Sequence, residues 1–312
     1  MNARAARPPM PGGSGVRVVT RSARPRFRFN PAYAFIAPSV LILSVFTVWP
    51  IAQAFWMSLH DWSFTASVHP FEGLGNYFTL FGDPLFWNAV RTTLVYTLAT
   101  VPFQIGIALM LAIALNGKIH GRAFLRSAYF VPVISSVAVM AIVWMFLFDP
   151  DIGLVSAWLL KLGFGRIAFL REPGSALVAV ILVGIWKAVG FNMVLLLAGL
   201  QAVSKDQHEA AALDGANSWQ QFRHVTVPAL RHQLLFVAVI SIIASLQAFD
   251  QIFVMTRGGP LHSTETLVYY AYQNGFAYFQ MGYASAISVI LFLFIAVVSL
   301  VQLRLFRYQE MD

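Results

Sequence analysis

The sequence predicts an all-α membrane protein with six transmembrane helices and both termini in the cytoplasm. Three observations predict it. Of 312 residues, 58% are hydrophobic and only 11% are charged, against roughly 25% charged in soluble domains, so lipid is the expected solvent. Six apolar runs reach the ~20 residues that a helix needs to cross a bilayer. Lys and Arg gather in alternate connections, which orients the bundle.

The chain begins with a basic stretch, 1–30, holding Arg4, Arg7, Arg17, Arg21, Arg24, Arg26 and Arg28 among Pro8, Pro9, Pro11, Gly12, Gly13 and Gly15. That composition cannot bury a core and is expected to be disordered. The first apolar run, 33–59, contains Pro38, Pro50 and Gln53. It is too long for a signal-peptide core of roughly 7–15 residues, and no A-x-A site follows, so an uncleaved helix is expected. The second run, 89–115, carries Gln104 beside Pro102. Amides in such helices, Gln53 included, are more often helix–helix hydrogen bonders than ligands. The third run is 124–148 and the fourth 176–200, with Lys187 at its centre. The fifth, 232–254, places Gln247, Asp250 and Gln251 on one helical face, and the sixth is 284–306.

The connections divide by charge. Lys118, Arg122 and Arg126 lie between the second and third runs, Lys205, Arg223 and Arg231 between the fourth and fifth, and Arg304 and Arg307 in the tail. Loop 60–88 has no Lys or Arg. Loop 149–175 offsets Lys161, Arg166 and Arg171 with Asp149, Asp151 and Glu172, and loop 255–283 has only Arg257. Both termini are therefore expected in the cytoplasm. The net charge of +8 is explained by this topology, and no nucleic-acid partner is expected. The absence of cysteine excludes disulfides and thiolate metal sites.

The fourth-to-fifth connection is unlike the rest. Residues 208–228 read HEAAALDGANSWQQFRHVTVP, a polar segment between two membrane-length runs. Ser204 with Gln207 makes a capping box, so a helix is expected to start near Lys205. Ala210, Ala211, Ala212 and Leu213 continue it. Gly215 stops it, Asn217 or Ser218 caps a second short helix, and Pro228 ends the unit. The alanines permit close approach of another surface. Glu209 and Asp214 offer charge, and Trp219 and Phe222 are interface-type anchors. The segment reads either as a docking knob or as a loop that packs under its own bundle.

The same residues carry a resemblance. Glu209, Ala210, Ala211, Gly215, Val225, Val227 and Pro228 match the E-A-A, G, I-x-L-P spacing of permease subunits in binding-protein-dependent ABC importers, with Val at both aliphatic positions. Gly73-Leu74-Gly75-Asn76-Tyr77 resembles that family's G-L-x-N-[FY] segment. Thr256-Arg257-Gly258-Gly259-Pro260 resembles the T-x-G-G-P signature of its sugar-importing, maltose-type branch, and Gly282-Tyr283-Ala284-Ser285-Ala286 opens the last span as it does there. The resemblance covers nearly the whole chain. It implies a type I importer permease domain over 31–312 with a cytoplasmic coupling helix in the loop 204–228, in the inner membrane of a bacterium. It also implies three partners: a second, homologous permease, an ATPase dimer seated on the loop, and an extracytoplasmic substrate-binding protein.

Within the spans, a buried charge costs at least ~2.5 kcal/mol unless it faces a cavity or a partner. Gly184, Lys187, Ala188 and Phe191 are spaced i, i+3, i+4, i+7 and share a face. By resemblance, the sugar site of the maltose-type permease falls on Gly184, Lys187, Ala188, Phe191, Gln247, Asp250 and Gln251. On the residues alone, Lys187 and Asp250 serve either the substrate path or an ion pair with each other or with the partner chain.

No G-x-x-x-x-G-K-[ST] loop is present, since Asn116-Gly117-Lys118 runs into Ile119 without the magnesium-binding hydroxyl. ATP and Mg are therefore expected on the ATPase partner, with no cofactor and no catalytic or metal-binding residue in this chain. No H-E-x-x-H site is present, and the seven histidines are scattered. The expected function is half of an ATP-driven sugar import pore. The alternatives are the same machinery carrying glycerol 3-phosphate or a polyol, and a stand-alone secondary carrier. A membrane enzyme would need a nucleophile–base pair or metal cluster that these residues do not supply.

Overall fold

The computed structural model describes residues 31–117 and 119–308; the basic stretch 1–30 and Lys118 lie outside the described residues. The elements are α1 (Pro31–Leu43), a π-helical turn (Ser44–Val48), α2 (Trp49–Met57), α3 (Gly75–Gly82), α4 (Pro84–Asn116), α5 (Arg122–Ile134), α6 (Val137–Leu147), α7 (Leu154–Lys161) and α8 (Pro173–Ala202). Then follow α9 (Lys205–Leu213), α10 (Ser218–Gln221), a π turn (Phe222–Thr226), α11 (Val227–Ala229), α12 (Arg231–Leu246), α13 (Asp250–Met255), α14 (Leu267–Tyr272), a π turn (Gln273–Ala277) and α15 (Met281–Tyr308). No strand is found among the described residues. Five helical segments are long and apolar enough to cross a membrane, and six if the bent pair α5–α6 is one span.

The described residues divide into two compact units, one ending at Pro50 and the other beginning at Ile51. In the first, the helix exposes Phe35, Val45, Phe46 and Trp49, as a helix with an apolar surroundings would. The second unit is organised around α8. Toward its C-terminal end, Met193, Leu196, Leu197 and Leu200 pack with Ala108, Ala112 and Leu115 of α4 and with Leu230 and Val237. Toward its N-terminal end, Ala179 and Val183 pack with Ala141, Phe148, Phe169 and Met255, and Val180 packs with Tyr96, Ala248, Ile252 and Tyr269.

Two spans expected to be continuous are broken. The third run divides into α5 and α6, bent by 102°. Pro132 has no N–H to give its helix, and Ser135 and Ser136 follow it. A break at membrane depth leaves the last carbonyls of α5 without helical partners. The Val131 carbonyl accepts from the Ser135 N–H at 3.2 Å and the Ser135 hydroxyl at 2.8 Å. The Lys187 ammonium of α8 donates to the carbonyls of Pro132 and Ser135, both at 2.5 Å, and of Val133 at 3.3 Å. Gly190, one turn on, lets α5 come close: a Cβ there would lie 2.0 Å from the Tyr129 carbonyl oxygen. The fifth run breaks between α12 and α13, so Gln247 lies off the helix that carries Asp250 and Gln251 and the three do not share one helical face. The Ala248 carbonyl in that gap accepts from the Thr266 hydroxyl at 2.9 Å.

The long connections are built on buried polar contacts. Asn76, in the G-L-x-N segment, donates from Nδ2 to the carbonyls of Ser58 and His60, both at 3.0 Å. In the T-x-G-G-P loop, the Thr264 hydroxyl donates to the Gly259 carbonyl at 2.8 Å and lies 2.7 Å from that of Thr256. Glu265 is 1% exposed, with its Oε2 2.6 Å from His262 Nδ1. Burial raises the Glu265 carboxyl, and the His262 contact opposes that rise.

Asp83 joins three elements. Its Oδ1 caps α4 by accepting the Leu85 N–H at 2.8 Å. Its Oδ2 accepts the hydroxyls of Tyr270 on α14 and Tyr283 on α15, the latter at 2.7 Å. Burial pulls the Asp83 carboxyl upward, but these donors and the Phe86 N–H outweigh it and hold it below the usual carboxylate range. Burial and the nearby Asp83 push the Tyr270 phenol up to about 12, so it remains a donor at neutral pH. A depressed carboxyl adds stability above the unfolded carboxylate pKa and loses it as pH falls through the lower folded value. The wild type is therefore expected to lose thermal stability between pH 7 and about pH 3, whereas Asp83→Asn starts lower at pH 7 and loses less on acidification. Thermal unfolding of the purified protein at both pH values checks this; equal acid sensitivity would remove Asp83 from the account.

Candidate functional site

Two sites emerge from this framework. The first is a cavity of about 290 Å³ between the two packed ends of α8. All seven path residues expected from sequence line it: Gly184, Lys187, Ala188 and Phe191 from α8, Gln247 from the fifth-span gap, and Asp250 and Gln251 from α13. Gln247, just after α12, and the start of α13 both border this space.

The cavity also has walls that the sequence did not assign to it. Tyr96, Thr100 and Gln104 come from α4, Asn192 from α8, and Ser241 and Ser245 from α12. The Gln251 amide donates to Tyr96 Oη at 2.8 Å. That phenol lies against Gly184, where a Cβ would be 2.1 Å from Oη. Asn192 donates to Ser241 Oγ at 3.2 Å, joining α8 to α12. Gln104, read as a helix–helix bonder, is buried and faces this space. Tyr96 was hidden because an aromatic in an apolar run reads as core; nothing local announces that its hydroxyl meets a glycine 88 positions on.

Lys187 does not form an ion pair with Asp250; among the described residues its ammonium meets backbone carbonyls only. Placed at the C-terminal end of α5, the cation complements that helix's dipole.

The second site is the polar loop after α8. Ser204 accepts the Asp206 N–H at 3.2 Å; the expected reciprocal box with Gln207 is not formed. The box forms instead at the next helix, where Asn217 Oδ1 accepts the Gln220 N–H at 2.9 Å and Gln220 Oε1 accepts the Asn217 N–H at 2.8 Å. Between them, Gly215 takes φ +82°. The Ala216 N–H reaches the Ala211 carbonyl at 2.9 Å and the Gly215 N–H reaches that of Ala212 at 3.1 Å, a Schellman ending. Pro228 does not end the unit: it sits in the first turn of α11, where a missing N–H costs nothing, and the chain runs on into α12.

α9, the π turn after α10, and α11 enclose a groove lined by Gln207, Ala210, Ala211, Asp214, His224, Val225, Pro228 and Ala229. His208 Nε2 lies 3.1 Å from the Thr226 hydroxyl and holds α9 against the following turn. Gly215 lies on an adjoining depression with Asp214. Glu209 is exposed and lines neither. Trp219 is 67% exposed, its ring 5.4 Å from that of Phe222. Leu213 is 89% exposed. The loop thus presents apolar and charged groups outward. Among the described residues, no group of three or more His, Asp or Glu could hold a metal.

Comparison with known proteins gives one consistent result. The sequence model for binding-protein-dependent transport system inner membrane components matches residues 86–309. The arabinooligosaccharides transport system permease protein AraP of Bacillus subtilis is 38% identical over 276 residues, covering 88% of this chain and 87% of AraP. The lactose transport system permease protein LacF of Rhizobium radiobacter is 34% identical, covering 91% and 96%. The sn-glycerol-3-phosphate transport system permease protein UgpA of Pectobacterium atrosepticum is 32% identical, covering 91% and 96%. Among solved structures, a bacterial ABC transporter that imports the acidic polysaccharide alginate shares the fold, with TM-score 0.78 at 22% identity over 89% of this chain and 95% of that one. The same kind of transporter, in complex with an alginate pentasaccharide-bound periplasmic protein, matches with TM-score 0.76 at 22% identity over 87% and 92%.

The Tyr96–Gly184 approach makes a local prediction. Gly184→Ala places a methyl against the phenol and is expected to cost about 1–3 kcal/mol through overpacking. Gly106→Ala on α4, where a Cβ would meet nothing within 4 Å, is expected to gain about 0.5–1 kcal/mol from helix propensity. Thermal unfolding of the two variants checks the difference; equal midpoints would contradict the close approach.

Proposed function

Since the chain belongs to the family of binding-protein-dependent transport system inner membrane components, we propose that it forms half of the membrane pore of an ATP-driven sugar importer, coupled to a separate ATPase through the loop 204–228. The observation that carries the coupling is the exposed helix–glycine–helix knob between two spans. Its central turn is fixed by the Gly215 Schellman ending and the Asn217–Gln220 box, so it can transmit a push as a unit. A stand-alone carrier has no use for such a knob.

In this reading the knob faces the cytoplasm, with Lys205, Arg223 and Arg231 on its side of the membrane, and both termini lie there too. The cell inner membrane holds the chain as a multi-pass protein. A second, related permease completes the pore, and two ATPase subunits bind ATP and Mg and seat the knobs in clefts. An extracytoplasmic binding protein delivers substrate, as the periplasmic protein bound to the alginate importer supports. ATP-driven closure of the ATPases moves α9–α11, and the bundle alternates between inward-open and outward-open states. No covalent step occurs in this chain.

The cavity around Gly184, Lys187 and Asp250 is the substrate's place in this reading. It combines ring faces with amides and a carboxylate, the mixture that suits sugars: rings for the apolar sugar faces, polar groups for the hydroxyls. Relatives named for lactose and arabinooligosaccharides support a neutral saccharide. The relative named for sn-glycerol 3-phosphate supports the second reading, a phosphate ester.

Purification of the tagged chain from native membranes in mild detergent tests the coupling. Wild type is expected to bring down an ATPase and a second permease. Glu209→Lys reverses an exposed charge, and Gly215→Pro cannot adopt the φ of +82°. Both are expected to lose the ATPase and keep the second permease. Retention of the ATPase by both variants, or recovery of the wild-type chain with only copies of itself, would sink the proposal.

A further inference from the structure

We propose that α7 is an interfacial helix whose bare face seats in lipid, at the membrane boundary opposite the loop 204–228, whatever the cargo. α7 is apolar on both sides: in LVSAWLLK only Ser156 and Lys161 are polar. The inner side has its partners. Val155 and Leu159 pack against the cluster that holds Phe148 and Phe169, and the buried Ser156 hydroxyl donates to the Phe148 carbonyl at 3.4 Å. The other side has none in this chain. Leu154, Trp158 and Leu162, spaced i, i+4, i+8 along one stripe, are 59%, 62% and 66% exposed. A helix facing water carries charge on the side away from its core. Here the one charge, Lys161, stands in the last turn.

The packing fixes the depth of this face. Phe148 directly follows α6, and Phe169 lies just ahead of Pro173, the first residue of α8. α7 therefore sits at the level where two spans reach the membrane boundary. The loop 204–228 follows the other end of the same α8, whose 30 residues make about 45 Å. α6, on which α7 packs, exposes Val139, Ile142, Val143 and Phe146 as a lipid-facing span does, and the bare stripe of α7 extends that apolar surface to the boundary. Polar groups bracket the stripe without interrupting it: Asp151 before α7 and Arg166 after it pair at 3.3 Å with both side chains exposed. Aliphatic groups toward acyl chains, an indole at the boundary and charges within reach of headgroups make the layout of an interfacial segment. The turn that holds α7 is stiff. Asp149 Oδ1 accepts the N–H groups of Asp151 at 2.9 Å and Ile152 at 3.1 Å, and a Cβ on Gly153 would lie 2.3 Å from the Asp149 carbonyl oxygen. α6 packs in turn on α13, so α7 ties that wall of the cavity to the membrane boundary.

The chain contains no cysteine, so one introduced thiol carries a nitroxide label at a single known place. Leu154→Cys, Trp158→Cys and Leu162→Cys are made one at a time in the full chain, reconstituted in phospholipid nanodiscs with the subunits that co-purify with it, their own accessible cysteines removed. Power saturation of the nitroxide signal compares collisions with oxygen, which concentrates in lipid, and with a water-soluble nickel chelate. Oxygen collisions are expected to exceed nickel collisions several-fold at all three positions, with the labels about 5–10 Å into the boundary between headgroups and acyl chains. Asp151→Cys and Arg166→Cys, at the bracketing pair, are expected to show the reverse. Nickel collisions in excess at any two of the three stripe positions would mean a face bathed in water and would overturn the proposal. Labels at two of them that meet neither reagent would mean a face covered by another subunit, and would overturn it as well.

Discussion

The structure depends on how one break in the third span is satisfied. A membrane offers no water to backbone carbonyls, so a helix bent by 102° within the apolar region must find donors in the protein. Lys187 supplies them. Its stem leaves the middle of α8, and its ammonium gathers carbonyls from residues 52 to 55 positions earlier, while Gly190 lets the α5 backbone lie against α8. The cation and the break need each other: the ammonium would be costly alone in the bundle, and the carbonyls would be costly without it.

That arrangement shapes the cavity. With α5 fastened to α8, α6 turns away, so that Val137 and Met140 at its start line the space. The fifth-span break, held by Thr266 on the Ala248 carbonyl, brings Gln247 and Asp250 from the other side. Two interrupted helices, one with three carbonyls held by Lys187 and the other with the Ala248 carbonyl held by Thr266, thus border a polar site in an apolar bundle. Discontinuous spans of this kind suit a transporter, because the chain can rearrange at a break without unwinding a whole helix. At the other end of α8, the polar loop is shaped by local hydrogen bonds and leaves Leu213 and Trp219 exposed.

Much of this was legible in the sequence. Span length and number follow from the bilayer's thickness, and the knob follows from Gly215 and Asn217, whose effects are local. The polar faces around Lys187 and Asp250 were legible because ionisable residues in apolar runs stand out. The breaks were not. A broken span keeps the hydropathy of an intact one, so Pro132 and the Ser135-Ser136 pair disappear within the run 124–148. Nor could the sequence supply the partner of Lys187: a backbone carbonyl has no residue signature, so only Asp250, a partner chain and the substrate offered themselves. The capping box fell to the wrong helix for a related reason. Ser204–Gln207 and Asn217–Gln220 fit the same local pattern, and only the backbone's course decides which closes. Tyr96 contributes through a hydroxyl that apolar periodicity does not register.

The measurement that bears most directly on this account is the unfolding midpoint of Lys187→Met in lipid nanodiscs, taken together with uptake per folded molecule. If the ammonium holds the third-span break, removing it strands the carbonyls of Pro132, Val133 and Ser135. The midpoint is then expected to fall clearly, in keeping with buried acceptors at about 1–3 kcal/mol each. Lys187→Arg, which keeps cationic donors at the break, is expected to recover part of the loss. A Lys187→Met protein as stable as wild type that has nonetheless lost uptake would contradict the account, because the ammonium would then be serving the cargo and not the backbone.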